Sequence, residues 1–144
     1  MTTRTFALIV GIAYLALGAL GFVPALLTAP PDSGPQVTLT AFYGYLLGLF
    51  PVSYMLNLAH LAVGAWGVAA SRAAGGARAY ARSLAVILGA LAVLGLFPQT
   101  QTMFGLIPLH GHDVWLHGVS AILAAFFGWV VSGSNVARPQ VTAH

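Results

Sequence analysis

The sequence predicts an all-α integral membrane protein, a four-transmembrane-helix bundle with short interfacial segments on its outer side. Charged residues make up only 5% of the 144 residues and hydrophobic residues make up 59%, whereas about 25% of an ordinary soluble domain is charged. A soluble fold could not cover that much apolar surface with so few charges, but a lipid-embedded fold has no such need. Four apolar runs are long enough to span a membrane, and all five arginines fall on one side of them.

The four predicted spans are separated by polar, proline-rich or glycine-rich stretches. They run from about Phe6 to Leu27, Val52 to Ser71, Ala79 to Phe97 and His112 to Val131. The first is longer than the apolar core of a secretory signal, about 7–15 residues, and Pro30-Pro31 would block cleavage at its end. We therefore interpret it as a retained span. Gly75-Gly76, within the loop 73–77, predicts the turn between the second and third spans.

Two further apolar segments are too short to cross a membrane, because a spanning helix needs about 20 residues. Leu39 to Phe50 ends at Pro51, and Met103 to Leu109 follows the break at 98–102. We expect the segment 39–50 to pack on the outer side of the bundle as an interfacial or re-entrant segment. The segment 103–109 is expected to parallel it in the second half of the chain.

The distribution of charge predicts the orientation in the membrane. The arginines lie on one side of the four spans and the aspartates on the other: Arg4, Arg72, Arg78, Arg82 and Arg138 against Asp32 and Asp113. Because basic residues are retained on the cytoplasmic side, we expect both termini in the cytoplasm and the protein in the bacterial cytoplasmic (inner) membrane. Aromatic residues should mark the boundaries, with Tyr43, Tyr45, Tyr54 and Trp115 on the outer side and Tyr80 and Trp129 on the inner side.

The two halves of the chain share a pattern. The Gly-Leu-x-Pro block at 48–51 precedes His60 by the same interval at which the block at 105–108 precedes His117. Each half then consists of a helix, an outer loop and a helix that carries a histidine, and both halves have the same orientation. The sequence predicts a parallel 2+2 repeat of helical hairpins within a single membrane domain, residues 1–144. The half-repeats are about 4–72 and 78–133, and residues 134–144 form a polar tail.

The repeat places His60 and His117 at pseudo-equivalent positions. Asn57, three residues before His60, and Asp113, four residues before His117, lie one turn away on the same helix face. Either neighbour could orient the adjacent imidazole and fix its tautomer. An imidazole that faced lipid would leave a donor and an acceptor unpaired, so we expect both rings to point into the bundle.

Small residues recur every four positions on two of the spans. They are Ala7 and Gly11 on the first, and Ala81, Ala85 and Gly89 on the third. Such spacing lets helices approach closely. It serves either the internal packing of the bundle or an oligomer face.

Four blocks of sequence carry a resemblance to a known family: Gly48 to Val52, Asn57 to His60, Phe104 to Leu109 and Gly111 to His117. They resemble the bacterial membrane family catalogued as domain of unknown function 4383. The resemblance covers about residues 4 to 133 and implies a small four-span protein, without implying a reaction. Members commonly carry asparagine near position 53, where this chain has Ser53, and serine could cap a helix equally well.

The residues leave three functions open. In a non-enzymatic accessory or scaffold subunit, the histidines would pack and hydrogen-bond between helices. In a tetrapyrrole-binding redox or pigment protein, His60 and His117 would ligate haem or chlorin, with Asn57 in an orienting role. A metal-binding protein would hold a transition metal in an outer cluster that contains a helical i, i+4 pair, namely His110, His112, Asp113 and His117.

Other functional classes find no support in the sequence. It contains no Ser-His-Asp order, phosphate-binding loop, paired carboxylates or HExxH pattern, so we predict no catalytic residue and disfavour an enzyme. The arginines form no basic run or aromatic-basic platform, which argues against a nucleic-acid partner. The expected partners are membrane lipid and either other membrane subunits or further copies of the chain.

Overall fold

The chain folds into four helices and a small antiparallel sheet in the computed structural model, which describes residues 1–32 and 34–131. The helices are α1 (Thr3–Leu20), α2 (Tyr54–Ala70), α3 (Ala74–Gly95) and α4 (His112–Ala125), which continues into a π-helical turn at Phe126–Val130. Three segments are long and apolar enough to cross a membrane, namely Thr3–Leu20, Ala74–Gly95 and His112–Val130. The fourth helix, α2, is also apolar and has 17 residues.

The helices pack as two neighbouring hairpins, α1 with α2 and α3 with α4. Side chains from all four helices form the core between the hairpins, and its largest fully buried members are Tyr80 and Leu84. Ala7, Gly11 and Ala81 are buried in this interior, so these members of the small-residue pattern serve internal packing. The structure confirms a mostly helical protein with several apolar helices.

Side-chain caps begin the two helices of the first hairpin. The hydroxyl of Thr2 accepts a hydrogen bond from the amide of Thr5 at 3.2 Å, and that of Ser53 accepts one from the amide of Leu56 at 3.3 Å. These bonds satisfy amides that have no partner within the helix. The capping role expected of Ser53 is confirmed. In the second hairpin, α4 follows Gly111, whose φ of 65° suits a residue without a side chain.

The predicted turn at Gly75-Gly76 is wrong. The helix α3 begins at Ala74, so both glycines lie in its first turn, where amides have no intrahelical partner and glycine costs little. The chain instead reverses direction over residues 71–73. A side chain at Gly76 would come within 3.2 Å of the carbonyl oxygen of Ala70, so glycine there allows the two helix ends to approach closely.

The sheet lies in the connection between α1 and α2. Its strands are β1 (Leu27–Thr28), β2 (Gly44–Leu46) and β3 (Phe50–Val52), in the antiparallel order β1-β2-β3. In its register, Leu27 pairs with Leu46, and Tyr45 pairs with Pro51. The segment 39–50, predicted as interfacial or re-entrant, therefore supplies β2 and starts β3. The first predicted span was too long, because α1 ends at Leu20 and the predicted end, Leu27, is the first residue of β1.

The two Gly-Leu-x-Pro blocks adopt similar tight turns, although in the second Met103 also has a positive φ, 44°. Leu47 and Gly48 both have positive φ, 53° and 73°, and so do Phe104 and Gly105, 60° and 88°. In each turn an amide bonds to the carbonyl oxygen three residues earlier, Leu49 to Leu46 at 3.0 Å and Leu106 to Met103 at 3.3 Å. The proline of each block is fully buried: Pro51 and Pro108. The amide of Thr38 donates to the carbonyl oxygen of Gly105 at 2.8 Å and so joins the two connections.

Candidate functional site

Each of the four helices places at least one polar side chain in the interior of the bundle. We call this set the polar cluster, and it consists of Tyr14 on α1, His60 on α2, Tyr80 on α3, and Asp113 and His117 on α4. Each is nearly or fully buried, with exposed fractions between 0% for Tyr80 and 6% for His60. The predicted inward orientation of His60 and His117 is therefore confirmed.

Contacts within the polar cluster connect the helices in pairs. The rings of Tyr14 and His60 meet edge to face with their centroids 5.3 Å apart. His60 lies near His117 on the other hairpin. Tyr14 lies near Asp113 and Tyr80. The cluster thus reaches across both hairpins.

Helix geometry sets the depth of the cluster. His60 and His117 lie six and five residues after the starts of α2 and α4, which is about 9 Å and 8 Å at about 1.5 Å per residue. Tyr14 lies six residues before the end of α1, again about 9 Å from the same end of the bundle. Tyr80 lies nearer the opposite end, where its ring packs on Trp66 with centroids 5.1 Å apart.

The cluster contains polar atoms that lack hydrogen bonds. Within residues 1–32 and 34–131, no partner is found for the Tyr80 hydroxyl, both ring nitrogens of His60, Nδ1 of His117 or Oδ2 of Asp113. The Tyr14 hydroxyl has the Ser120 side chain beside it. Burying such atoms without a partner is costly, and native proteins keep few of them. Most of the buried side-chain polar atoms that lack a hydrogen-bond partner in the described residues therefore belong to the polar cluster.

Asn57 does not take the orienting role predicted for it. Its side-chain amide donates to the carbonyl oxygen of Gly21 at 2.7 Å and so ties the start of α2 to the end of α1. The ring nitrogens of His60 have no partner in the described part of the chain, Asn57 included. The sequence spacing placed Asn57 near His60 but could not reveal that Gly21 would approach from another helix.

The four predicted metal ligands are not brought together. His110 is buried beside Tyr45, their ring centroids 6.1 Å apart, whereas His112 is exposed and its ring lies 6.2 Å from that of Phe50. No group of three or more His, Cys, Asp or Glu side chains that could hold a metal exists among the described residues. The turn at Gly111 separates the two loop histidines from each other, and Asp113 and His117 face the polar cluster.

Burial changes the titration of two side chains near the sheet, His110 and Tyr45. It lowers the pKa of His110, because a charged imidazole would lose its hydration there. Burial also raises the pKa of Tyr45, and the nearby Asp113 carboxylate adds to this effect. The neutral forms of both side chains are therefore favoured in the folded protein.

Sequence reasoning missed two members of the polar cluster. Tyr80 was expected in the inner aromatic belt, but it is fully buried, whereas Trp129 is 54% exposed as a belt residue should be. The other member is Tyr14, and a lone tyrosine in the middle of an apolar run is a signal that a hydroxyl lies inside the bundle.

Comparison with known proteins agrees with the family resemblance. The family described as Domain of unknown function (DUF4383) matches this chain over residues 4–130. Neither the curated proteins nor the solved structures that were searched contain a match. The matched range contains all of the polar cluster and both Gly-Leu-x-Pro blocks. The chain therefore belongs to the DUF4383 family.

Proposed function

We propose that this chain is a non-enzymatic accessory or scaffold subunit of a membrane complex, whose polar cluster holds its four helices in one arrangement. The observation that carries the proposal is that every helix contributes a buried polar side chain to that cluster. Between helices in lipid, apolar burial supplies no driving force, so close packing and polar contacts hold a bundle together. A bundle of fixed shape is what a scaffold must present to its neighbours.

The outer surface of the bundle supports a lipid environment. Large apolar side chains are exposed on several helices, for example Ile12 at 55%, Val86 at 65% and Ile122 at 71%. A soluble monomer rarely exposes extended apolar surface. Lipid chains and other membrane subunits, or further copies of this chain, are suitable neighbours for such faces.

Charges at the ends of the bundle support the proposed orientation, with both termini in the cytoplasm. Nε of Arg4 donates to the carbonyl oxygen of Ser71 at 2.8 Å, which brings the start of α1 to the end of α2. Arg72, Arg78 and Arg82 lie at the same end, near the start of α3, whereas Asp32 and Asp113 belong to the other end. Arg138 lies outside the described residues. By the positive-inside rule, the arginine end faces the cytoplasm.

Matching turns support the proposed parallel 2+2 repeat, with half-repeats at about 4–72 and 78–133. The two Gly-Leu-x-Pro turns share their positive φ values and their hydrogen bonds. The same interval then leads to a buried histidine in each half, His60 and His117. Two hairpins of equal orientation would place those histidines in one layer.

The role of the polar cluster can be tested with His60→Leu and His117→Leu. We expect the melting temperature of each purified variant to be lower than that of the wild type, because the rings act through packing. We expect no visible absorption band in the wild type or in either variant. The matched control is His112→Leu, since His112 is exposed.

The scaffold proposal further expects a second membrane subunit to co-purify at fixed stoichiometry. A chromophore at one equivalent would contradict it.

The orientation can be tested by single-cysteine labelling, because the chain has no cysteine of its own. With Gly34→Cys and Gly75→Cys, a membrane-impermeant reagent applied to intact spheroplasts should label only position 34. Labelling of position 75 from outside would contradict cytoplasmic termini.

A tetrapyrrole-binding function is the second candidate. The observation that favours it is that both ring nitrogens of His60 and Nδ1 of His117 are unpaired among the described residues, although the rings are buried and near each other. Imidazole nitrogens of this kind are axial ligands of haem and chlorin. A visible absorption band in the purified protein that disappears in His60→Leu would establish this candidate in place of the first.

A further inference from the structure

A groove runs along the outside of α3 near the arginine end of the bundle. Its volume is about 370 Å³, and its lining residues are Arg82, Ser83, Val86, Ile87 and Trp129. The groove therefore joins one cation and one hydroxyl to an apolar strip. Val86 and Ile87 are exposed by 65% and 44%, so the strip opens away from the core.

The π-helical turn at the end of α4 builds one wall of this groove. Its widened hydrogen bond runs from the amide of Val131 to the carbonyl oxygen of Phe126, at 3.1 Å. The carbonyl oxygen of Gly128 accepts instead from Nε of Arg82 at 2.9 Å. A side chain at Gly128 would come within 2.9 Å of Cγ of Arg82, so glycine is what allows α3 this close.

The same turn holds the arginine in a defined position. The guanidinium carbon of Arg82 lies 5.6 Å from the centre of the Trp129 ring, a cation–π contact. The bond to Gly128 uses Nε, and within residues 1–32 and 34–131 the two terminal nitrogens of the guanidinium make no hydrogen bond, so they can donate to a ligand. The Ser83 hydroxyl lines the groove beside it. The described residues thus form an anchored cation next to an apolar surface.

We propose that this groove binds a phospholipid with an anionic headgroup, the headgroup at Arg82 and Ser83 and one acyl chain along Val86 and Ile87. Charge complementarity supports this occupant: both acidic residues of the described chain, Asp32 and Asp113, lie at the opposite end of the bundle. Arg78, one turn before Arg82 on the same helix face, adds a second positive charge. Basic pockets beside membrane helices bind anionic lipid headgroups in this way.

The position of the groove along the helix fits a lipid. Arg82 lies eight residues into α3, about 12 Å from its start at about 1.5 Å per residue, and arginine side chains extend towards the interface from such depths. Trp129, beside it, is of the residue type enriched at headgroup level. The inference depends on the proposed membrane location, but on neither the scaffold role nor the direction of the bundle.

The test uses full-length protein purified in a neutral detergent and freed of native lipid. Phosphatidylglycerol and phosphatidylcholine with identical acyl chains are titrated separately, and bound lipid is counted by native mass spectrometry while the melting temperature is followed. We expect one phosphatidylglycerol to bind preferentially and raise the melting temperature. Equal binding of the two lipids would overturn the proposal, as would an equal temperature shift with inorganic phosphate alone.

Two variants locate the binding. Arg82→Gln should weaken phosphatidylglycerol binding by at least about fivefold, the effect of one arginine at a membrane surface, whereas the matched control Arg72→Gln, exposed at the same end, should leave it unchanged. Because Arg82 also contacts Gly128, Val86→Trp is the second variant, and it should block the apolar strip without removing a charge. Its control is Ile9→Trp, on an equally exposed face of α1. Unchanged phosphatidylglycerol binding in a folded Arg82→Gln or Val86→Trp protein would refute the site.

Discussion

The two helical hairpins of this protein solve the same packing problem in different ways. In the first, α1 and α2 touch backbone to backbone: a side chain at Gly11 would come within 2.6 Å of the amide nitrogen of Val68, and one at Gly64 within 2.5 Å of that of Leu15. In the second, side chains at Gly89 and Gly118 would meet only alanine methyl groups, at 3.9 Å. Close backbone contact is one way to associate helices in lipid, and in the middle of the helices only the first hairpin uses it. In the second hairpin a comparably close contact occurs at Gly128, beside the backbone of Arg82.

A second difference appears at the end of each hairpin that lies away from the arginines. The glycine after α1, Gly21, accepts a hydrogen bond from Asn57 in the first turn of α2. At the matched positions of the second half, Gly95 at the end of α3 packs against Val114 in the first turn of α4. One hairpin closes with a polar bond and the other with an apolar contact, although both use a glycine to admit the partner.

The largest effect is expected from Gly64→Ala. The added methyl group has no room beside the α1 backbone, so the helices must separate, and overpacking of this kind typically costs about 1–3 kcal/mol. We expect a loss near the upper end of that range, because backbone atoms cannot rotate away. Reversible unfolding in mixed detergent micelles measures it. A loss below about 0.5 kcal/mol, the scale of an ordinary surface change, would show that the first hairpin is not constrained by this contact.

A moderate effect is expected from Asn57→Val, which gives the first hairpin the apolar residue type of the second. The carbonyl oxygen of Gly21 loses its side-chain donor, while a side chain of similar size remains. Hydrogen bonds between membrane helices average about 0.6 kcal/mol, and a buried acceptor left unpaired raises the cost to about 1 kcal/mol or more. The same unfolding assay reports it. Val114→Ala is the comparison at the matched position, and a stabilised Asn57→Val protein would show that the polar bond contributes nothing.

These differences indicate how far sequence reasoning can go in this chain. Apolar length and flanking arginines predicted the helices, with the start of α4 at His112 correct and that of α2 within two residues. The cost of exposing an imidazole to lipid predicted that His60 and His117 are buried, and local chemistry predicted the Ser53 cap. All of these depend on residues close together in the chain or on composition.

What sequence reasoning missed depends on contacts between distant segments. The strands β1, β2 and β3 have only two or three residues each, too few for an alternating pattern to be recognised. The contact between Asn57 and Gly21, and that between Arg82 and Gly128, join different helices. The pair Gly75-Gly76 predicts a turn because glycine pairs usually mark one, but a helix N-terminus accepts glycine with little penalty when neighbouring helix ends must approach.

A small, pH-dependent effect should distinguish the two connections that contain the Gly-Leu-x-Pro blocks. At the position matching Ser53, the second half carries His110, buried beside Tyr45. Because burial lowers the pKa of His110, the folded state binds fewer protons than the unfolded one, so stability is complete above the ordinary histidine pKa of about 6.5 and declines as the pH falls below it. Between pH 8 and pH 5, the melting temperature of His110→Gln should therefore fall less steeply than that of the wild type. Parallel curves would show that His110 does not titrate differently on folding.

The smallest effect is expected from Gly118→Ala, the counterpart of Gly64→Ala in the second hairpin. The new methyl group would lie 3.9 Å from that of Ala92, an ordinary van der Waals distance. Alanine also favours a helix over glycine by up to about 1 kcal/mol, and it restricts the unfolded chain. We therefore expect a change between zero and a stabilisation of a few tenths of a kcal/mol, opposite in sign to that of Gly64→Ala. If the two substitutions destabilised the protein equally, both hairpins would depend on close glycine contacts, and the contrast between backbone and methyl packing would have no energetic meaning.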